Sequence, residues 1–172
     1  MMCLCRDIFL GVLFAIKHKK NGVALWGMSA IISPAELSVL FRIIFATILG
    51  ILIGAEREKM GKPAGMRTHS LVCMSSAAIV AISMLAFPVA DSGARAIAAV
   101  ITGIGFLGAG QIMNSGGRVS GLTTAASIWA SAIVGCIAGL GYYFLSAVIT
   151  LLTFVIFQLK DVLNHKSSSY RY

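Results

Sequence analysis

Acidic side chains are scarce in this sequence. Six Asp and Glu residues occur among 172 amino acids, and none lies between Asp91 and Asp161. Charged residues of both signs make up 12% of the chain, whereas soluble domains carry about 25%. A soluble fold of this length could not bury the 58% of residues that are hydrophobic. The sequence therefore predicts a protein embedded in a lipid bilayer, whose net charge of +8 faces lipid head groups and not a nucleic acid.

Catalytic and metal-binding patterns are also missing. The three histidines have no Ser/Asp or Cys constellation in sequence, and the four cysteines form no CxxC or Cys/His cluster. The sequence therefore predicts no catalytic residues, no metal site and no cofactor. Magnesium prefers octahedral oxygen ligands that include carboxylates, and none of the acids lies in the middle of a predicted span. This pattern disfavours an ion-coupled carrier, although a path lined by backbone groups stays open.

Long apolar runs predict an all-α, polytopic membrane protein with about five transmembrane helices. The predicted spans are residues 37–55, 71–87, 96–113, 122–140 and 142–159. They lie in a transmembrane domain, residues 31–160, which a polar cytoplasmic tail follows at 161–172. Residues 1–30 form an N-terminal extension that either lies at the membrane interface or reflects an upstream start codon. In the second case the functional chain starts near Met28.

Basic residues are distributed unevenly between the two sides of these spans. Eight Lys and Arg residues fall on the side of the connection 56–69, the loop 114–121 and the C-terminal tail. Five fall on the other side, and four of those precede residue 21. Because cytoplasmic loops carry the excess of Lys and Arg, the sequence predicts that the connection 56–69 and the C-terminus are cytoplasmic.

Glycine is concentrated in the stretch TGIGFLGAG, residues 102–110. Part of this stretch matches the dinucleotide-binding pattern GxGxxG, which needs a preceding strand and an acidic residue about 20 positions later. The apolar flanks favour a membrane helix whose small residues let a neighbouring helix approach closely. GxxxG pairs occur in the first and fourth spans as well. The predicted helix-packing residues are Gly50, Gly54, Gly103, Gly105, Gly108, Gly110, Gly135 and Gly139.

Charged residues on the cytoplasmic side predict a cluster of ion pairs and hydrogen bonds. The cluster would hold the connection 56–69 against the loop at 114–121, because partly desolvated pairs are stronger than exposed ones. The alternative is a set of solvated residues that only orient the protein. The predicted members are Glu56, Arg57, Glu58, Arg67 and Arg118.

Other polar or aromatic side chains are predicted at the membrane faces. Arg42 either snorkels to the interface or pairs with an acid, Glu36 or Asp91. His69 is expected at the interface, Trp129 in helix packing, and the threonine hydroxyls in bonds across helices or to their own carbonyls. The full set is Arg42, His69, Asp91, Arg95, Thr123, Thr124 and Trp129.

Three motifs, in this order, resemble the MgtC/SapB family of bacterial inner-membrane proteins. They are GAEREKMGKPAGMRTHSLV at 54–72, TGIGFLGAG at 102–110 and VSGLTTAASIWASAIVG at 119–135, within a resemblance that covers about residues 35–160. The resemblance implies five transmembrane helices in the bacterial inner membrane. It also implies a link to growth at low magnesium and to virulence. Ala99 departs from the family, because many relatives carry glutamine there, and the soluble C-terminal domain of longer relatives is not expected here.

The resemblance further implies a non-enzymatic regulator that acts on other membrane proteins, the ATP synthase among them. The glycine-lined faces would bind another membrane protein or a second copy of the chain. The alternative is a small channel or carrier for magnesium or another solute.

Overall fold

The computed structural model describes residues 33–115 and 118–168, with side chains for residues 33–112 and 120–159. The predicted N-terminal extension and the hypothesis of a start near Met28 lie outside these residues. The elements are, in order, α1 (Pro34–Lys59), α2 (Met66–Ala86), α3 (Ser92–Gln111), β1 (Met113–Ser115), β2 (Arg118–Ser120), α4 (Leu122–Leu140) and α5 (Tyr143–Ser168). The fold class is thereby confirmed: the described chain is built from five helices, to which one short hairpin is added.

Four of these helices, α1 to α4, are long and apolar enough to cross a membrane. The apolar part of α5 is shorter and covers Tyr143–Leu159, after which the helix continues through polar sequence to Ser168. The chain is therefore a polytopic membrane protein.

The first two helices extend further toward each other than their apolar runs do. Helix α1 continues through the charged residues up to Lys59, and α2 begins at Met66, so that the connection is only residues 60–65. The charges suit these positions, because α1 has an acid in its first turn and two basic residues, Arg57 and Lys59, in its last turn. Much of the segment expected as a polar connection is thus helical.

The loop predicted at 114–121 contains the antiparallel hairpin β1–β2, in which Met113 is opposite Ser120. Gly121 follows with φ 86°, and a side chain there would collide with the carbonyl of Gln111. Only glycine combines that φ with so close an approach. The hairpin therefore returns the chain directly into α4.

Helix α4 lies at the centre of the bundle and packs against α2, α3 and α5. One apolar core joins α1, α2, α4 and α5, and includes Ile53, Ala77, Val134 and Phe157. A second core joins α3 to α2 and α4 on another side, where Ile104 packs with buried residues of both helices. Helices α2 and α4 therefore contribute to both cores, whereas α3 contributes only to the second.

Candidate functional site

Polar side chains are buried at the end of the bundle where α1 ends and where α2 and α4 begin. We call these residues the polar cluster: Glu56, Arg57, His69, Thr124 and Ser127. Each is at most 8% exposed. Buried polar groups must find hydrogen-bond partners, so their contacts show which helices the cluster joins.

Arg57 is the cation at the centre of the cluster, with 2% of its surface exposed. Its Nη2 donates a hydrogen bond to the Thr124 hydroxyl of α4 over 3.0 Å, and its guanidinium carbon lies 4.9 Å from the ring centroid of Phe157 in α5. Cation–π contacts of this kind are stronger when they are desolvated. The Nε atom is buried without a hydrogen-bond partner. One side chain thus ties α1 to both α4 and α5.

His69 makes the second connection, and it is fully buried. Its Nδ1 lies 2.9 Å from the carbonyl oxygen of Gly65, and its Nε2 lies 3.1 Å from the Ser127 hydroxyl of α4. A carbonyl oxygen can only accept, so Nδ1 carries a proton and donates. The Ser127 hydroxyl also lies 2.7 Å from the Thr124 carbonyl. His69 therefore links the α1–α2 connection to the first turns of α4.

Glu56 and Glu58 contact other elements of the bundle. The Glu56 carboxylate accepts a hydrogen bond of 2.8 Å from Gln158 of α5, and it lies 3.9 Å from the ammonium group of Lys59. Glu58 accepts from the backbone N–H of Met66 over 3.2 Å, at the first residue of α2. Its negative charge suits a helix N-terminus.

Of the five residues predicted as a charge cluster, Glu56 and Arg57 lie in the polar cluster. In the described residues the ion pair recorded for Glu56 is with Lys59, and Arg57 bonds a hydroxyl instead of a carboxylate. Arg67 is exposed and takes no part in the polar cluster. The side chain of Arg118 lies outside the described residues. Helical geometry explains these separate contacts: Glu56, Arg57 and Glu58 follow one another in α1, so they point to different neighbours.

Four glycines sit where two helices touch. A Cβ at Gly54 of α1 would collide with Met66, and one at Gly135 of α4 would collide with the carbonyl of Cys73. At Gly50 the nearest atom would be 2.6 Å away and at Gly139 2.7 Å away, in both cases a backbone oxygen of α2. Helix α2 is therefore held between α1 and α4 at distances that only glycine permits.

The glycines of α3 are predicted to pack against a neighbouring helix, but no such helix of the described chain lies beside three of the four. A Cβ at Gly103, Gly105 or Gly110 would have nothing within 4 Å, and one at Gly108 would have only an ordinary contact with Ala125. In the most apolar stretch of α3 only 11% of the residues are buried, whereas in that of α4 61% are buried. No helix of the described chain packs against those three glycines.

The remaining predicted residues lie away from the polar cluster. Arg42 contacts the end of α4: its Nη1 donates to the carbonyl of Gly139 over 2.9 Å, where its charge suits the C-terminus of that helix. His69 is fully buried within the bundle, in the first turn of α2. Trp129, expected in packing, is 47% exposed. The three others on the surface are Asp91, Arg95 and Thr123.

Sequence reasoning missed several residues that complete the cluster. Ser131 donates to the Ser127 carbonyl, and Cys73 donates to the Ser131 carbonyl. Gln158 and Phe157 reach the cluster from α5. A signal was present on α4, because hydroxyls at positions 124, 127 and 131 repeat at helical spacing on one face. No such signal marks the two α5 residues, because they lie where the apolar run of that helix passes into polar sequence.

The fold and the cluster define a class: a polytopic α-helical membrane protein whose helices are joined by glycine contacts and a buried polar cluster near one end. Residues 43–166 match the MgtC family, and this match covers most of the chain. The protein belongs to the MgtC family.

Several relatives agree with this assignment. Protein MgtC of Salmonella typhimurium is 45% identical over 104 residues, which are 60% of this chain and 44% of that protein. Protein SrpB of Synechococcus elongatus is 41% identical over 130 residues, covering 68% of this chain and 71% of the relative. An Escherichia coli protein named "Putative magnesium transporter YhiD" is 41% identical over 128 residues, covering 69% and 60%. The matched stretch thus spans less than half of the Salmonella protein, and no solved structure matches the chain.

Proposed function

We propose that this chain is a non-enzymatic regulator of other membrane proteins, active in the bacterial inner membrane during growth at low magnesium. Membership of the MgtC family supports the link to magnesium, since one relative carries that metal in its name. The family resemblance also suggests a partner similar to the ATP synthase and a role in virulence. The excess of basic residues supports a cytoplasmic C-terminus. With that orientation the polar cluster would lie near the cytoplasmic face.

The observation that carries this proposal is the buried guanidinium of Arg57. A magnesium ion that crossed the bundle at the polar cluster would meet a desolvated positive charge, and like charges repel strongly where the dielectric constant is low. The hydroxyls around it are occupied in bonds within and between helices. The cluster therefore fits a role in fixing the relative positions of α1, α2, α4 and α5 better than a role in coordinating a cation.

The second candidate function is a carrier or channel for magnesium. The printed name of the Escherichia coli relative favours it. A carrier would need an ion path elsewhere in the bundle, lined by oxygen atoms that can replace water around the ion. The two functions make opposite predictions for the purified chain.

Two measurements separate the candidates. The chain is expressed in a bacterium that lacks its own relative, and growth at low magnesium is measured together with crosslinking and recovery of membrane partners. The purified chain is then placed in liposomes, and magnesium flux is measured. A regulator restores growth and recovers a defined membrane complex while the liposomes show no flux. Selective magnesium flux that rises with the amount of protein would overturn the regulator.

Adjacent threonines supply matched variants for the first measurement. Thr124→Ala removes the hydroxyl that Arg57 contacts, whereas Thr123→Ala removes an exposed hydroxyl one residue away. We expect Thr124→Ala to lose partner recovery and growth, and Thr123→Ala to keep both. Equal behaviour of the two variants would remove the polar cluster from the regulatory role.

A further inference from the structure

The first turn of α4 carries backbone N–H groups that have no acceptor within the helix. The N–H of Ala125 donates to the carbonyl of Gly121 over 2.9 Å, and the N–H groups before it precede the first helical bond. Gly121 supplies no side-chain cap, and the first two residues, Leu122 and Thr123, are exposed. Such a helix start attracts anions, because the helix dipole places partial positive charge there. Whether it forms a site depends on the side chains beside it.

Arg57 brings a full positive charge to the same helix start. Its Nη2 lies 3.0 Å from the hydroxyl of Thr124, the third residue of α4. A cation is disfavoured at the N-terminus of a helix, and a buried charge without a counter-charge is costly. Within the part of the chain that the structure describes, no ion pair is recorded for this arginine, although it is buried. Two positive groups therefore lie side by side, and an anion between them would stabilise both.

The guanidinium of Arg57 also has a donor that is not used. Nε and Nη2 lie on one edge of the planar group, the edge with which arginine holds a carboxylate or a phosphate through two parallel bonds. On this edge Nη2 bonds the hydroxyl of Thr124, while Nε is buried and has no hydrogen-bond partner. Buried donors almost always have an acceptor. The edge that is turned toward α4 is therefore suited to an oxyanion.

The acidic side chains at this end of the bundle are engaged elsewhere. The carboxylate of Glu56 accepts from Gln158 and lies 3.9 Å from the ammonium group of Lys59. Glu58 accepts from the N–H of Met66, at the first residue of α2. Helix α2 thus receives an anion from its own chain, whereas the contacts recorded at the start of α4 include a cation and no acid. The negative charge that suits α4 must come from outside the described residues.

We propose that the start of α4 and the guanidinium of Arg57 together bind a phosphate group, carried by an anionic lipid head group or by free inorganic phosphate. Its oxygens accept from the free N–H groups of α4, and its charge offsets that of the arginine. The apolar run of α1 has ended at this level, where lipid phosphates are expected. Lys59 and Arg67 are exposed at the same end and attract anions toward it. The proposal does not depend on the regulatory function, because binding is measured on the purified chain.

Ligand titrations of the full chain in a neutral detergent make the first test. A ligand that binds the folded state raises the unfolding temperature by mass action. Inorganic phosphate, short-chain phosphatidylglycerol and short-chain phosphatidylcholine are titrated separately, with ionic strength held constant by chloride. A saturable rise with inorganic phosphate identifies the free anion as a ligand, and a larger saturable rise with phosphatidylglycerol than with phosphatidylcholine identifies the anionic lipid. If inorganic phosphate has no saturable effect and the two lipids act equally, the proposal is wrong.

Two cations of α1 make the second test. Arg57→Met removes the guanidinium, and we expect the dissociation constant of the active ligand to rise about tenfold or more, as for the loss of a charge-assisted hydrogen bond. Lys59→Met removes the same charge two residues away, where the side chain is 76% exposed. We expect it to raise the dissociation constant by less than about twofold, because exposed charges are screened. Equal weakening by both variants would mean that the ligand is attracted only by the overall charge.

An anion built into the chain makes the third test. Thr123→Asp places a carboxylate at the exposed second residue of α4, so that the chain itself supplies the negative charge. We expect this variant to lose the response to the ligand and to unfold at a higher temperature than the native chain when no ligand is added. Thr123→Asn has nearly the same shape without the charge and should bind as the native chain does. This pair decides the matter even if Arg57→Met does not fold: a Thr123→Asp variant that binds with native affinity would overturn the proposal.

Discussion

The glycines of α1 and α4 and the glycines of α3 occupy opposite environments, although both groups lie in apolar helices. At Gly54 and Gly135 a single added carbon would collide with the backbone of α2. At Gly103 the same carbon would have nothing within 4 Å. The first group therefore sets the distances inside one chain. The second group leaves a surface whose backbone remains accessible from the membrane.

The difference teaches that a pattern of small residues does not say which of them contact another helix of the same chain. Around α2 the pattern is satisfied within the chain, and the buried polar cluster lies at the end of the same helices. On α3 no helix of the described chain packs against Gly103, Gly105 or Gly110. Variants can break this contrast between the closely packed helices α1, α2 and α4 and the open helix α3.

The largest expected effect is at the packed glycines. We expect Gly135→Ala to lower the free energy of unfolding by about 1–3 kcal/mol, because the methyl group overlaps the backbone of α2 and the helices must move apart. Gly103→Ala is the matched control and should leave that free energy unchanged or slightly higher, since its methyl group meets open space and alanine favours a helix. Unfolding in mixed detergent micelles measures both. Similar losses at the two sites would contradict the contrast.

The next effect concerns the bond between His69 and Ser127. His69→Ala and Ser127→Ala each remove one side of the contact, and the double variant isolates the coupling between them. We expect a coupling of about 0.6 kcal/mol and at most about 1.7 kcal/mol, the mean and the maximum for hydrogen bonds between membrane helices. Ser75→Ala serves as a control, because that hydroxyl bonds only to carbonyls of its own helix. A coupling near zero would mean that the contact does not hold α2 to α4.

Particular residues show how much of the structure could be predicted from the sequence. The apolar run at 122–140 predicted α4 with its observed ends, Leu122–Leu140, because a glycine stands just beyond each end. Arg57 and Arg67 are ten positions apart and look alike in sequence, yet Arg57 is buried and Arg67 exposed. Their difference arises because α1 continues past its apolar run and carries Arg57 into the bundle. Which face of α3 is left open likewise depends on tertiary packing, which no local pattern contains.

A smaller effect on stability is expected at Arg57. Arg57→Met keeps a long side chain beside Phe157 while it removes the charge and the bond to Thr124. Buried charges are often replaced by apolar residues without loss, so we expect the free energy of unfolding to change by less than about 1 kcal/mol. Growth at low magnesium should nevertheless be lost if the polar cluster serves regulation. A large loss of stability would instead assign Arg57 to the fold, and unchanged growth would separate it from the function.

The smallest effect is expected at Glu58, which lies at the edge of the packed helices. Glu58→Gln keeps an oxygen that can accept the hydrogen bond from the Met66 N–H, and it removes only the attraction between the charge and the N-terminus of α2. We expect a loss of about 0.3–1 kcal/mol that shrinks as salt is added, because exposed charges are screened. Glu58→Ala also removes the acceptor and should cost more. If both variants lose the same free energy of unfolding at every salt concentration, the carboxylate does not act through its charge. The start of α2 at Met66 would then be set by its packing against Gly54.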